Sequence, residues 1–371
     1  MRILYVVGGL PFGGIENLLF DICRRLQELG VRFKVVNLSG TGQKLPEFIE
    51  ARIPIVNLGS GLKDIKTFSL PTAVRLKRLV EEEGASVVHS MQFSGDYFSR
   101  LALLFNRSVK VITHVHNIKR EKRFERRLFN RLLSYRTDAF LSVSKAVYDY
   151  VEREHNLFKR PNYVFYNCIN PERLKPRPSP ELAFLKGKRV FLCLGRLVPQ
   201  KRYDVAIRAL KLISGKHPDA VLAVVGEGGE MDRLKELTRS LSLEGRVFFL
   251  GYRKDVASVL SLSYALLVPS EYEGLSIAHL EAAYFGLPAV ITPAVPSKEI
   301  LSEASIVVPS EVDSFARAMD RLLSEPKLYF ELSERARAVA SGLTVDRYVG
   351  RLLNFYDSLL SGKLPRERVL F

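Results

Sequence analysis

Short apolar runs alternate with longer amphipathic ones along the whole chain. Residues 3–7 form an unbroken apolar run too short for a helix, and predict a buried strand. Residues 32–38, 53–57, 86–90, 109–114 and 139–143 read the same way. Between these runs, apolar positions recur at helical spacing at about 15–29, 71–83, 95–105, 119–135 and 145–156. Strand–helix alternation of this kind predicts an α/β fold, a parallel sheet wrapped by helices on both faces. The pattern breaks at Pro171-Glu172-Arg173-Leu174-Lys175-Pro176-Arg177-Pro178-Ser179-Pro180, whose prolines predict a linker. It then restarts, with strands at 189–194, 220–225, 246–250, 264–268, 289–292 and 306–308. Helices follow at about 311–324, 327–341 and 344–360. The expected organisation is a doubly wound domain over 1–170, a linker over 171–188 and a second doubly wound domain over 189–343.

Composition adds a compartment and a partner class. With 47% hydrophobic and 26% charged residues over 371 positions, the chain reads as a soluble protein of two domains. No apolar run approaches the roughly 18 residues that cross a bilayer. Met1-Arg2 runs straight into 3–7 and glycines, too short a run for a signal-peptide core. Cys23, Cys168 and Cys193 are odd in number and far apart, and read as buried free thiols of a reducing compartment. The expected location is cytoplasmic, with the inner face of the membrane as a peripheral site. The net charge is +16, of which residues 1–170 carry +11 from 27 basic and 16 acidic side chains. Such a field favours an anionic partner.

The most basic segment, 119–136, holds eight basic and two acidic residues. Phe124, Leu128 and Leu132 recur at i+4 with Phe129 and Leu133 beside them, an apolar stripe between cationic flanks that include Arg120, Arg123, Arg126 and Arg127. A helix of this kind can lie on an anionic membrane, each basic residue near it contributing about 1 kcal/mol. The plainer reading is a domain helix that buries its stripe and solvates its charges.

Candidate chemistry gathers at loops after predicted strands, where open α/β sheets collect ligands. After the first strand, Gly8-Gly9-Leu10-Pro11-Phe12-Gly13-Gly14 has neither the Lys-Ser/Thr of a P-loop nor the G-x-G-x-x-G of a dinucleotide loop. Either a tight turn or a close backbone approach to a ligand fits it. His114 and His116 follow another strand, with no ligand spacing for a metal. A general-base role for either stands beside that of a hydrogen-bonded loop histidine. In the second half, Arg196 and Lys201 flank a turn after a strand, where a fork and a point charge could hold a diphosphate. Most telling is Pro269-Ser270-Glu271-Tyr272-Glu273-Gly274-Leu275-Ser276, leading into a helix that carries Glu281 and ends at Gly286. A helix N-terminus suits an anion, and side chains lean towards it, so Glu273 and Glu281 can face one opening. Carboxylates beside a phosphate cradle fit the hydroxyls of a sugar nucleotide, whereas a solvated Glu281 is the bland alternative.

Together these pieces resemble a known family, the retaining glycosyltransferases of the GT-B fold, sequence family 4 (glycosyl transferases group 1). The resemblance rests on Gly13-Gly14-Ile15-Glu16-Asn17-Leu18-Leu19, His116-Asn117, Asp138 with Ser142-Val143-Ser144, and Asn167-Cys168-Ile169-Asn170. It continues in Gly195-Arg196-Leu197-Val198-Pro199-Gln200-Lys201, Gly226-Glu227-Gly228 and the E-x7-E pair Glu273 and Glu281. What the resemblance implies is a GT-B enzyme, two Rossmann-like domains facing a cleft, with the last helix, 344–361, returning to the first domain. Arg196, Lys201 and the backbone of Gly274, Leu275 and Ser276 would hold the donor diphosphate, Gly13 and Gly14 would approach it, and Gly251 and Tyr252 would lie near the base. Glu281 would bind the ribose, Glu273 the transferred sugar, and His116 would lie against that sugar.

The implied reaction is transfer of a hexosyl group from a UDP- or GDP-sugar to a glycan or lipid-linked acceptor in cell-envelope polysaccharide or glycolipid synthesis, with retention. No Asp-x-Asp motif indicates a metal, and no cofactor is expected, the nucleotide-sugar being a substrate. Ser276 and Cys168 replace glycines usual in the family pattern, and 292–299 lacks its Gly-Gly, which leaves the sugar's identity open. The rival readings are a sugar-nucleotide epimerase of the same fold and a non-catalytic polyanion-binding protein. No nucleic-acid module accompanies the charge.

Overall fold

The computed structural model describes residues 1–65, 69–118 and 124–370. Its first half runs β1 (Arg2–Val7), α1 (Gly14–Glu28), β2 (Arg32–Asn37), α2 (Leu45–Glu50), β3 (Ile55–Asn57), α3 (Leu70–Glu82) and β4 (Val87–Met91). Then come α4 (Gln92–Ala102), β5 (Lys110–Val115), α5 (Phe124–Leu132), β6 (Ala139–Ser142), α6 (Lys145–Glu154) and β7 (Asn162–Val164). The second half begins with β8 (Arg189–Leu194), α7 (Tyr203–Ile213), β9 (Ala220–Val225), α8 (Met231–Ser240), β10 (Val247–Gly251) and α9 (Val256–Leu262). It continues through β11 (Ala265–Val268), α10 (Ile277–Tyr284), β12 (Ala289–Ile291), α11 (Lys298–Leu301) and β13 (Ser305–Val307). The helices α12 (Val312–Ser324), α13 (Pro326–Ala340) and α14 (Val345–Leu360) complete the chain.

The chain divides into two units, Met1–Asn167 with Val345–Phe371, and Cys168–Thr344. Unit 1 holds a seven-stranded parallel sheet in the order β3-β2-β1-β4-β5-β6-β7. The strands β1, β4 and β6 are buried on both faces, which is why they read as continuous runs rather than alternating ones. Unit 2 holds a six-stranded parallel sheet in the order β10-β9-β8-β11-β12-β13, with α7 and α12 closing one core through Ile207, Leu210, Phe315 and Met319. In each sheet the strand order reverses once, between β1 and β4 and between β8 and β11. Ligands of doubly wound sheets collect at the carboxyl ends of strands at such reversals. Two places are thereby singled out.

Several elements differ from the periodicity. The strand β7 has only three residues and was hidden in the run 162–166. Helix α4 begins at Gln92, three residues before the expected 95, because Gln92 takes a left-handed φ of 70° and turns the chain directly out of β4. The proline-rich run lies in unit 2 and is held there: Arg177 N donates to Ser258 Oγ at 3.0 Å and Ser179 Oγ to Asp255 at 3.1 Å. Leu182 and Leu185, in the short turn of helix that follows, are buried.

Helix α5 reverses the ordinary pattern. Its buried residue is polar: Asn130 takes hydrogen bonds from Arg100 at 2.8 and 3.1 Å. The apolar stripe stays outside, with Phe124 72%, Leu128 44% and Leu132 46% exposed. Arg127 bonds Glu154 at 2.9 Å and Arg126 lies over the Phe93 ring, while Arg120 and Arg123 fall outside the described residues. Among the described residues, no helix is long and apolar enough to cross a membrane.

Candidate active site

At the reversal in unit 2, the loops after β8, β9 and β10 pack backbone against backbone. Gly195 N bonds Val225 O at 3.0 Å, Gly226 N bonds Gly251 O at 2.8 Å, and Leu197 N bonds Glu227 O at 2.8 Å. A Cβ on Gly226 would stand 2.0 Å from Gly195 O, and one on Gly228 2.2 Å from Leu197 O. Both glycines also have left-handed φ, 133° and 156°. The motif glycines therefore let three loops close-pack, which sets Arg196 and Lys201 at the strand ends. Arg196 is exposed and makes no ion pair among the described residues.

The loop after β11 is laced to the Lys201 turn by Glu271 N to Gln200 O at 2.9 Å and Gln200 Nε2 to Tyr272 O at 3.0 Å. This places Lys201 Nζ in hydrogen bond and ion pair with Glu273 Oε1, which also accepts from Ser270 Oγ at 2.9 Å. Both partners are largely buried, so removing either would leave the other's charge without its partner. Tyr203 sits beneath them. Its hydroxyl has no hydrogen-bond partner among the described residues, and burial, with the nearby Cys193 and Glu273, pushes its pKa well up.

Helix α10 starts at Ile277, and its first internal bonds, from His279 and Leu280, both run to Ser276 O. The N–H groups ahead of them are those a bound anion can use. Ser276 occupies the cap position, but its side chain makes no capping bond. Glu281 is 8% exposed rather than solvated, and its Oε1 accepts from Arg173 at 3.0 Å. His279 fastens α10 through Ser297 Oγ at 2.8 Å and Ser305 Oγ at 3.1 Å. Burial holds the His279 ring neutral, its pKa pushed down to about 3. Gly251 adopts a φ of 64° at the end of β10, and Tyr252 beyond it is 37% exposed.

At the reversal in unit 1, Gln92 braces the glycine loop. Its Oε1 accepts from Gly8 N at 3.0 Å, and its Nε2 donates to Gly9 O at 3.2 Å and to Glu16. Glu16 is buried, with a carboxylate oxygen 2.4 Å from where a Cβ on Gly13 would stand. Gly13 is thus needed for the close pass of Glu16, its φ of 179° being open to any residue. Gly14 is exposed at the first turn of α1. His116, just beyond β5, is 9% exposed with its ring 4.1 Å from that of His114.

Within unit 2 the structure brings together Lys201, Glu273, Gly274, Leu275, Ser276 and Glu281, with Arg196 on the adjoining loop. Gly13, Gly14 and His116 lie on unit 1. Sequence reasoning gave no role to Gln92 and Arg173, whose partners Gly8 and Glu281 are distant in sequence. Nor did it give one to Ser270 and His279, which lie within the glutamate stretch but carry no signal of their own.

The chain is a glycosyltransferase of the GT-B fold and belongs to the group 1, family 4 enzymes. Residues 175–339 match the family described as glycosyl transferases group 1, and residues 12–173 match glycosyltransferase family 4. An uncharacterized glycosyltransferase of Haemophilus influenzae is 25% identical over 345 residues, 91% of this chain and 94% of its own. A UDP-Gal:alpha-D-GlcNAc-diphosphoundecaprenol alpha-1,3-galactosyltransferase of Escherichia coli is 27% identical over 205 residues, 54% of this chain and 52% of its own. Among solved structures, Anabaena HepE in complex with UDP-glucose superposes with a TM-score of 0.84 at 20% identity, covering 96% of this chain and all of that one. That likeness establishes the fold.

Proposed function

We propose that the protein transfers a hexosyl group, with retention of anomeric configuration, from a UDP- or GDP-sugar to a glycan or lipid-linked acceptor in cell-envelope polysaccharide or glycolipid synthesis. One observation carries the reading: Lys201–Glu273 and Arg173–Glu281 form two ion pairs around the start of α10, at the reversal of the unit 2 sheet. Each carboxylate is fixed beside the helix start by its cation. In this reading Arg196, Lys201 and the N–H groups at Gly274–Ser276 take the diphosphate, Glu281 the ribose and Glu273 the sugar. Gly251 and Tyr252 border the base. In unit 1 we assign His116 and the backbone of Gly13 and Gly14 to the reaction.

The bond from the anomeric carbon to the phosphate oxygen breaks as the acceptor oxygen attacks from the same face. The leaving phosphate takes the acceptor's proton. The charge that develops is negative on the phosphate and positive on the sugar, so a lysine–glutamate pair meets both needs without a metal ion. A retaining hydrolase would instead place a second carboxylate about 5 Å away as nucleophile. The acceptor class draws support from the E. coli relative, whose name gives a diphosphoundecaprenol substrate. It draws further support from α5, whose exposed stripe and adjoining Arg126 and Arg127 suit an anionic membrane surface.

A thermal-shift screen of UDP-, GDP- and ADP-sugars, followed by turnover with and without an acceptor lipid extract, tests the reading. Stabilisation by one donor and acceptor-dependent release of its nucleotide is the expected result. Acceptor-independent conversion to an epimer, or binding of polyanions with no nucleotide-sugar, would overturn it.

A further inference from the structure

The unit 1 core contains a chain of polar groups that the reaction assignments do not use. Tyr5 on β1, Tyr356 on α14, His89 on β4 and His114 on β5 are all fully buried. Tyr5 Oη lies 2.9 Å from Tyr356 Oη, Tyr356 Oη lies 2.6 Å from His89 Nδ1, and His89 Nε2 lies 3.1 Å from His114 Nδ1. His114 then packs against His116 in a tilted pair, with ring centroids 4.1 Å apart and an interplanar angle of 36°. The row therefore runs from β1 through α14, β4 and β5 to the histidine beyond β5.

The protons in this row are not independent. Burial pushes the His89 pKa down to about 3, so its ring is neutral, with one nitrogen donating and the other accepting. Either every group donates towards His114 or every group donates away from it. At the Tyr356–His89 contact a phenol O–H is the stronger donor, and an unprotonated imidazole nitrogen is the better acceptor. The 2.6 Å separation fits such an O–H···N bond. The direction follows: Tyr5 donates to Tyr356, Tyr356 to His89 Nδ1, and His89 Nε2–H to His114 Nδ1. His114 is thereby fixed with its proton on Nε2.

We infer that Tyr356 and His89 are positioning residues: through the donor chain they lock the tautomer and seat of His114, and its ring in turn sets the orientation of His116. The same ring has a further aromatic neighbour. Phe165 lies edge-on to His114 at 6.4 Å, and Tyr348 edge-on to Phe165 at 4.8 Å. Phe165 stands just before the point where the chain leaves unit 1, and Tyr348 just after the point where it returns. Both connections thus end on residues packed around His114. The functional side of the inference rests on the role proposed for His116, but the tautomer does not.

Nitrogen-15 histidine spectra of the full chain at neutral pH, with assignments from single His→Gln variants, read the tautomers directly. The expected result is His89 and His114 each protonated at Nε2 with a hydrogen-bonded, unprotonated Nδ1. In Tyr356→Phe the His114 and His116 signals should shift or broaden as His114 samples both tautomers, with a smaller change in Tyr5→Phe. His114 protonated at Nδ1 in the parent, or His114 and His116 signals unmoved in Tyr356→Phe, would overturn the inference. If Tyr356→Phe does not fold, the parent spectrum still decides the direction of the chain. Turnover with the donor found for the parent supplies the second readout: kcat should fall several-fold in Tyr356→Phe with the nucleotide Kd unchanged. An equal kcat would overturn the coupling to His116, whereas a parent that turns over no nucleotide-sugar would count against the proposed function and leave the tautomer result standing.

Discussion

The two sheet reversals present the same topology with opposite electrostatics. In unit 2 the groups beyond the strands are charged and paired, Lys201 with Glu273 and Arg173 with Glu281. In unit 1 the groups leading to His116 are buried rings joined in a hydrogen-bonded row. A charged pair at a partly open edge can exchange one partner for a ligand phosphate or hydroxyl, so it suits binding. A buried row of hydrogen-bonded rings holds one geometry, so it suits positioning. One fold can thus carry two kinds of polar group at equivalent places, exchangeable ion pairs in one half and a closed row of rings in the other.

Breaking the charged half should give the largest effect. Lys201→Met leaves the buried Glu273 without its cation and removes the charge proposed to meet the leaving phosphate, so kcat/KM should drop about a hundredfold or more. Steady-state kinetics with the donor identified by the screen would check this, and a loss under tenfold would separate Lys201 from the chemistry.

Acid should weaken both halves alike. His89 in unit 1 and His279 in unit 2 are held neutral, with folded pKa values of about 3 against the ordinary 6.5. Below about pH 6.5 the unfolded chain binds protons that the folded one refuses, so stability falls as pH falls towards 3. At pH 5 each ring should cost about 2 kcal/mol. Urea midpoints at pH 7.5 and 5.0 for the parent and for His279→Gln measure it, the variant losing the smaller amount. Equal losses would remove His279 from the account.

The same small substitution should then separate the halves. Tyr356→Phe strands His89 Nδ1 in the core and should cost about 1–3 kcal/mol. Tyr203→Phe removes a hydroxyl that has no partner among the described residues, beside the Lys201–Glu273 pair. It should be neutral or stabilising by up to about 1 kcal/mol, with nucleotide affinity retained. Thermal melts of the two variants decide the matter, and a Tyr203→Phe variant as unstable as Tyr356→Phe would erase the contrast.

Much of the charged half was legible in the sequence because its motifs are local. Gly195 to Lys201 and Glu273 to Glu281 each lie on one strand–loop–helix step, and the alternation that revealed the strands also located the loops. The partners of these groups were not legible. Arg173 lies 108 residues from Glu281 and inside a run that reads as linker. The neutral half hid for the same reason: His89 and Tyr356 are 267 residues apart and sit within ordinary apolar patterns. Helix α5 shows a different limit. Periodicity located its stripe, but not that Asn130 and Arg100 would pin the opposite face and leave the stripe outside.

The central claim is that the start of α10, with its two paired glutamates, binds the donor nucleotide. Calorimetric titration of UDP and GDP into the parent and into Glu281→Ala tests it most directly. Loss of charge-assisted hydrogen bonds worth about 1.5–3 kcal/mol predicts binding of one nucleotide to the parent and an affinity ten- to hundredfold weaker in the variant. The same affinity in both proteins would contradict the claim.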